Sequence, residues 1–279
     1  MKSYALIGHK IEHSISDFIH KELFKLSDYD GEYKIMDLDS IKTKEDIKSL
    51  YNLNGFNVTI PYKTEIIKYI NNLSENSLIS KSVNTVKVEN NELYGYTTDL
   101  DAFNLVCKEK NIDLSKDIMI LGCGGVSKSI ALSCILNKAK SITFAVRKES
   151  FEKTQNVISD FHQKTGYKID ICDINKIEKE NFILINATPV GMYKYKESII
   201  LSRDIIKKSS FVFDTIYNPI ETPLLKIAKE ENIKTSNGIE MLIYQAALSH
   251  KIWYNTSFDK KDLHNIIENS ISEIRKNYV

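Results

Sequence analysis

Short apolar runs alternate with helix-period segments almost from end to end of this chain, which restricts it to an α/β fold with mainly parallel strands. Residues 4–7 read as the first strand, and the helix after it carries Phe18, Ile19, Glu22, Leu23 and Leu26 at three-to-four spacing. Tyr33, Ile35 and Leu38 suggest a second strand, and residues 55–60 a third that Pro61 closes. A proline also suits the first turn of a helix, here expected to show Ile66, Ile67, Ile70 and Leu73 on its apolar face. Residues 83–88 and 93–96 are predicted to form a hairpin turning at Asn90-Asn91, a pair that tolerates positive φ. A second series opens with a strand at residues 118–121 and a helix bearing Val126, Ile130 and Cys134. A strand at 142–146, a helix with Phe151, Thr154, Ile158 and Phe161, and strands near 167–172, 182–185 and 211–214 follow. Two helices finish the chain, one with Met241, Leu242, Gln245, Leu248 and Ile252, the other with Leu263, Ile266, Ile267, Ile271 and Ile274.

At 279 residues there is room for two domains of ordinary size, and no flexible linker separates the two series. The expectation is two α/β domains meeting at a cleft: an open α/β domain over residues 1–101, completed by helices in 238–279, and a Rossmann-like domain over 102–237. A helix near residues 100–110 joins them. Lys and Arg total 38 against 37 Asp and Glu, a balance that favours neither nucleic acid nor an anionic membrane as partner. No apolar run approaches the roughly 18 residues of a membrane span, and the apolar start at residues 4–7 is too short for a signal segment. The cytoplasm is the expected compartment. Cys107, Cys123, Cys134 and Cys172 form no C-x-x-C pair and no cluster with histidine, so reduced thiols are expected and no metal site.

Gly122-Cys123-Gly124-Gly125 follows an apolar strand directly and precedes a helix directly. In that context glycines let the chain turn tightly and approach a pyrophosphate, which sits on backbone N–H groups at the positive end of the helix. Val126 opens that helix, and Ser127 stands where the third glycine of the usual fingerprint falls. The end of the next strand reads Ala145-Val146-Arg147-Lys148. Two cations and no carboxylate favour the 2′-phosphate of NADP. Glu149 comes next and offers a carboxylate to a ribose hydroxyl, which keeps NAD open.

Polar side chains cluster at other strand ends, where open α/β sheets bind ligands. Ser14 and Ser16 follow the first strand, Thr59 and Lys63 bracket the end of the third, and Thr97, Thr98 and Asp99 end the hairpin. Each has a structural use as a helix cap or a first-turn lysine. Together they offer hydroxyls, an amine and a carboxylate, a set suited to a small polyhydroxy acid.

These segments resemble the shikimate dehydrogenases. Residues 11–16, Ile-Glu-His-Ser-Ile-Ser, are similar to that family's serine-x-serine clamp, and 57–63, Asn-Val-Thr-Ile-Pro-Tyr-Lys, to its N-V-T-x-P-[FY]-K block. Val83-Asn84-Thr85 matches V-N-T, and Thr97-Thr98-Asp99 matches N-T-D with Thr97 in place of Asn. The glycine loop resembles G-A-G-G, and residues 186–192 resemble N-A-T-x-x-G-M. Residues 214–219 and 222–225 are similar to D-x-x-Y-x-P and T-P-L-L, and Gly238 through Ala247 to G-x-x-M-L-x-x-Q-A-A. The likeness runs in order from Leu6 to about His250.

The resemblance implies NADPH-dependent reduction of 3-dehydroshikimate to shikimate by a monomer or homodimer. It implies that Ser14, Ser16 and Tyr217 hold the substrate carboxylate, and that Asn84, Asp99, Gln245 and Lys63 hydrogen-bond the ring hydroxyls with Thr59 in support. Lys63 and Asp99 are the implied catalytic pair. Gly122, Gly124, Gly125, Val126, Arg147, Lys148 and Gly238 are the implied cofactor residues, with Thr188 and Met192 at the nicotinamide end. The chemistry stands without the family: a ketone taking up hydride needs a proton at the developing alkoxide, and an ammonium within reach supplies it. Lys148 and Glu149, Ala102 and Asn237 depart from the family pattern, the first two toward a quinate/shikimate branch that uses NAD or NADP. A non-catalytic dinucleotide sensor is the rival of another class, and it has no need of a proton donor at the substrate carbon.

Overall fold

The structure, a computed structural model, describes residues 1–195 and 197–277. Residues 278 and 279, in the last predicted segment, lie outside the described residues. The chain folds as two compact units: Met1–Ala102 with Leu242–Asn277, and Phe103–Met241.

The first unit contains β1 (Lys2–Gly8), α1 (Ser16–Leu26), β2 (Gly31–Asp37), β3 (Gly55–Val58), β4 (Asn72–Leu73), α2 (Glu75–Ser80), β5 (Thr85–Glu89) and β6 (Glu92–Tyr96), and α3 (Thr98–Glu109) starts in it. Its sheet runs β2-β1-β3-β5-β6-β4, parallel at β2-β1-β3 and antiparallel through the β5-β6 hairpin. Asn90 and Asn91 turn that hairpin with φ of 51° and 59°, the conformation a two-residue turn of this hand requires. The helix expected after Pro61 is instead a 3-10 turn over Glu65–Tyr69, and Leu73 ends up on β4. Ile66, Ile67 and Ile70 are β-branched, stiff at χ1, and bind a short turn to the core better than they sustain a helix. On α1 the buried face is Ile19, His20, Leu23 and Phe24, whereas Leu26 is exposed.

The second unit holds β7 (Asp117–Leu121), α4 (Gly125–Leu136), β8 (Ser141–Val146), α5 (Phe151–Thr165), β9 (Asp170–Asp173), β10 (Phe182–Asn186), α6 (Arg203–Ile206), β11 (Ser209–Asp214), α7 (Pro223–Glu230) and β12 (Lys234–Ser236). All six strands are parallel, in the order β12-β11-β10-β7-β8-β9. This is the doubly wound arrangement, whose order reverses between β7 and β10. Ser127 through Cys134 on α4 are all buried, so the helix is covered nearly all round rather than amphipathic. Serine and alanine at those positions permit the close approach. α8 (Ile239–Tyr254) and α9 (Lys260–Asn277) carry the chain back to the first unit, where α9 packs on α1. No described helix is long and apolar enough to cross a membrane.

An aromatic cluster joins α1, β1 and α8 within the first unit. Trp253 stacks on Tyr4 at 4.5 Å and donates its indole N–H to the Val86 carbonyl at 2.9 Å. Beside it His20 Nδ1 and His250 Nε2 lie 2.8 Å apart, both rings buried. Ser27 donates to the Leu23 carbonyl at 2.9 Å, which leaves its oxygen to accept from Tyr254. Tyr254 then accepts from His250 Nδ1, and His250 Nε2 accepts from His20. Counting protons in this way sets one neutral tautomer for each ring and leaves His20 Nε2 as a buried lone pair.

Burial holds both imidazoles neutral, taking His250 down to about 3 and His20 well below its ordinary range, the latter also by repulsion from His250. The unfolded chain binds protons near pH 6.5 that the folded chain refuses, so stability is full above that pH and falls as pH drops. Each ring sets a slope of up to about 1.4 kcal/mol per pH unit. In urea titrations between pH 6.5 and 5, His250→Gln should therefore lose about 1–2 kcal/mol less than the wild type. Equal losses would show that the pair does not govern acid sensitivity.

Candidate active site

In the first unit the turn after β3 carries Lys63. Tyr62, buried beside it, donates its hydroxyl to the Leu38 carbonyl at 2.6 Å, and the Val83 N–H donates to the Lys63 carbonyl at 2.8 Å. With both flanks tied, the lysine side chain meets Asp99, in the first turn of α3, at 2.6 Å. The Asp99 side chain is 6% exposed and that of Lys63 17%, so the carboxylate is enclosed while the amine keeps an open side. A buried pair of this kind adds little net stability, and its worth lies in fixed direction.

Asn84 organises the rest. Its Oδ1 accepts the Thr98 N–H at 2.6 Å, which forces the amide nitrogen the other way. That nitrogen donates toward Thr98 Oγ1 at 2.8 Å, Asp99 Oδ1 at 3.1 Å and Gln245 Oε1 at 3.2 Å. Gln245 in turn donates to the Leu242 carbonyl one turn back on α8, at 2.9 Å. Lys63, Asp99, Asn84 and Gln245 are thus assembled from four separate stretches of chain. Ser14 donates to Ser16 at 3.0 Å where α1 begins, although Ser16 does not cap that helix with its side chain. Thr59 follows β3, its N–H on the Ile7 carbonyl at 2.9 Å.

The predicted cofactor residues lie in the second unit, and so does Tyr217. Gly122, at the end of β7, has φ of 86°, and a Cβ there would meet Thr188 Cγ2 at 2.8 Å. A side chain is excluded twice over, by backbone and by space. Around Gly124, where α4 begins, a Cβ would meet nothing within 4 Å, so that backbone is open. First-turn N–H groups of a helix have no intrahelical acceptor, and open glycine backbone at α4 therefore fits a pyrophosphate. Cys123 is a neutral side chain, because burial raises its thiol pKa. Arg147 and Lys148 stand exposed just past β8, with Glu149 exposed after them. Gly238 has a packing role the sequence did not disclose: a Cβ would lie 2.1 Å from the Thr215 carbonyl.

Asp214, at the end of β11, ties together the loop after β10, which carries Thr188, and the loop after β11, which carries Tyr217. It accepts from Thr222 at 2.6 Å, from the Asn186 amide at 3.0 Å and from the Ile216 N–H at 3.1 Å. Asn186 accepts in turn from the Thr188 hydroxyl at 2.8 Å. Burial pushes the Asp214 carboxyl up to about 6, against those three bonds. The sequence shows Asp214 only as part of a motif and gives it no task.

A doubly wound sheet with a glycine turn at its switch point, and a buried lysine–carboxylate pair on another unit, define a dinucleotide-dependent oxidoreductase. Residues 6–86 match the family model for the shikimate dehydrogenase substrate binding domain. The NADP(+) shikimate dehydrogenase of Caldanaerobacter subterraneus subsp. tengcongensis is 35% identical over 264 residues, covering 93% of this chain and 94% of its own. A shikimate dehydrogenase solved in complex with NADP+ superposes with a TM-score of 0.85 at 33% identity, covering 97% of this chain and 96% of its own. The Listeria monocytogenes shikimate 5-dehydrogenase solved with shikimate and NAD gives 0.83 at 29% identity, with 97% and 96% covered. The chain belongs to the shikimate dehydrogenase family.

Asp214→Ala strands an amide, a hydroxyl and a backbone N–H in the core and should cost at least about 2 kcal/mol in urea unfolding. Asp214→Asn keeps one acceptor oxygen and should cost less. Equal loss in the two variants would show that volume, not hydrogen bonding, is what Asp214 supplies.

Proposed function

We propose that this protein catalyses the reversible NADPH-dependent reduction of 3-dehydroshikimate to shikimate, with Lys63 as the proton donor. The Lys63–Asp99 contact of 2.6 Å, with Asn84 on the second carboxylate oxygen, carries the proposal. Asp99 has both oxygens committed, so it acts by holding the ammonium in one direction. The ammonium stabilises the oxyanion as it develops and transfers its proton there, and a proton from solvent then restores the ammonium. In the reverse direction the neutral amine takes the hydroxyl proton. Asn84 and Gln245 supply donors and acceptors for ring hydroxyls, while Ser14 and Ser16 offer hydroxyls to the carboxylate.

The backbone around Gly122, Gly124 and Gly125 suits the pyrophosphate, and Arg147 with Lys148 suits a 2′-phosphate. When bound, NADPH supplies the hydride. A second reading, with NAD held by Glu149, rests on that carboxylate standing exposed beside Arg147.

Lys63→Met keeps the packing of the stem and removes the charge. It should lower kcat by about 10²–10⁴-fold, roughly 2.7–5.4 kcal/mol of barrier, with NADPH affinity unchanged. Near wild-type kcat in this variant would overturn the assigned role. Arg147→Ala should raise KM for NADPH about tenfold or more and leave KM for NADH alone. Equal rises for both cofactors would make Arg147 structural, and a wild type that prefers NADH would favour the second reading.

A further inference from the structure

Beside Asn84, on the neighbouring strand, lies Asn57 of β3, 3% exposed. Its amide nitrogen donates toward the Asn84 carbonyl at 3.1 Å, Thr85 Oγ1 at 3.0 Å and Ser249 Oγ at 2.9 Å. Its Oδ1 accepts the Tyr33 hydroxyl at 2.8 Å. A carbonyl can only accept, so the amide orientation is fixed by chemistry. Tyr33 is equally constrained: its ring lies flat on His20 at 3.8 Å, and burial keeps its hydroxyl protonated well above the ordinary phenol range.

The hydroxyls around Asn57 run one way. Ser249 donates to the Gln245 carbonyl at 2.9 Å, so it accepts from Thr85 at 2.9 Å. Thr85 accordingly accepts from Thr98 at 3.2 Å, and Thr98 accepts from the Asn84 amide. The path starts at one proposed substrate-holding side chain and finishes on the backbone of another. Asn57, Thr85 and Ser249 are all buried, and their polar side-chain atoms are committed to one another and to neighbouring protein groups.

Apolar residues of the same volume would hold β3, β5 and α8 together without the desolvation cost of these groups. They would not fix the rotational phase of α8 about its axis. Ser249 stands one helical turn beyond Gln245, on the same face of that helix. A hydrogen bond from β3 to Ser249 therefore sets the direction in which the Gln245 amide leaves the helix.

We propose that Asn57 and Ser249 are positioning residues for the reaction, locking α8 in the phase at which Gln245 meets Asn84 and both present their amides to the substrate. The proposal rests on Asn84 and Gln245 holding substrate. Its test is a cycle in which Ser249→Ala is measured in the wild type and in Gln245→Ala, with shikimate and NADP+ varied separately. Ser249→Ala should raise KM for shikimate about three- to tenfold, the scale of one hydrogen bond, and leave KM for NADP+ unchanged. In the Gln245→Ala background the same substitution should have no effect on KM for shikimate, because nothing remains for it to orient.

Asn57→Asp keeps the shape but removes every donor, and should lower kcat/KM for shikimate about 10–100-fold. The Ser249 cycle decides the matter if that variant does not fold. The same fold-loss from Ser249→Ala in both backgrounds, or a parallel rise in KM for NADP+, would overturn the positioning role alone. Gln245→Ala with an unchanged KM for shikimate would overturn it together with the substrate-site reading. A wild type that does not turn over shikimate would overturn the proposed function as well.

Discussion

The Asn84 carboxamide satisfies its surroundings in a single orientation, and the first unit is arranged around that fact. The Thr98 N–H takes its oxygen, which turns the nitrogen toward Asp99 and Gln245. Because one planar group serves α3 and α8 together, those helices cannot adjust independently without leaving a buried donor or acceptor unmatched. Such a mismatch costs more than the bond itself contributes. The Lys63–Asp99 pair inherits its geometry from this arrangement. Lys63 is tethered through the Val83 N–H and Asp99 through Asn84, so both partners are held by neighbours in sequence. The chemistry assigned to the pair needs no moving part to bring the amine into line.

The second unit solves a comparable problem with a carboxylate rather than an amide. Asp214 closes β11 and gathers donors from β10, from the loop beyond β11 and from the first residues of α7. Thr222 has two uses there, donating to Asp214 while accepting the Leu225 N–H as the cap of α7. The loops after β10 and β11 are therefore braced from behind. Glycine is needed in front, where Gly122 and Thr188 crowd one another. Bracing behind and bare backbone in front make a rigid seat that still admits a large ligand.

Much of this was legible in the sequence where the signal was local. The Asn90-Asn91 hairpin, the strand–glycine–helix passage at Gly122 and the lysine after Pro61 all announce themselves within a few residues. That the strands of the second sheet run parallel followed from alternation, whereas their order came only with the structure. Failures arose where neighbours in space decided the outcome. Ile66, Ile67 and Ile70 carry a helical spacing, yet the core beneath them accepts only a short turn before β4. On α1, His20 took the place of an apolar residue because a second buried histidine stood ready to receive its proton. Ser249 left no trace, since a serine amid apolar helix residues has many uses and its partner Asn57 is 192 positions away. The charge of Arg147 was visible but the spacing beside Glu149 was not decisive, because an exposed strand end leaves both side chains free to turn.

The aromatic cluster has an optical consequence. Trp253 is the chain's single tryptophan, 6% exposed, stacked on Tyr4 and bonded to the Val86 carbonyl. Its indole therefore emits from an apolar setting, toward the blue, and shifts to the red only when the first unit opens to water. Loss of structure confined to the second unit leaves that emission band in place, while far-ultraviolet circular dichroism registers both. Comparing the two signals along one denaturation curve tells a single cooperative transition from two separate ones, with no label added to the protein.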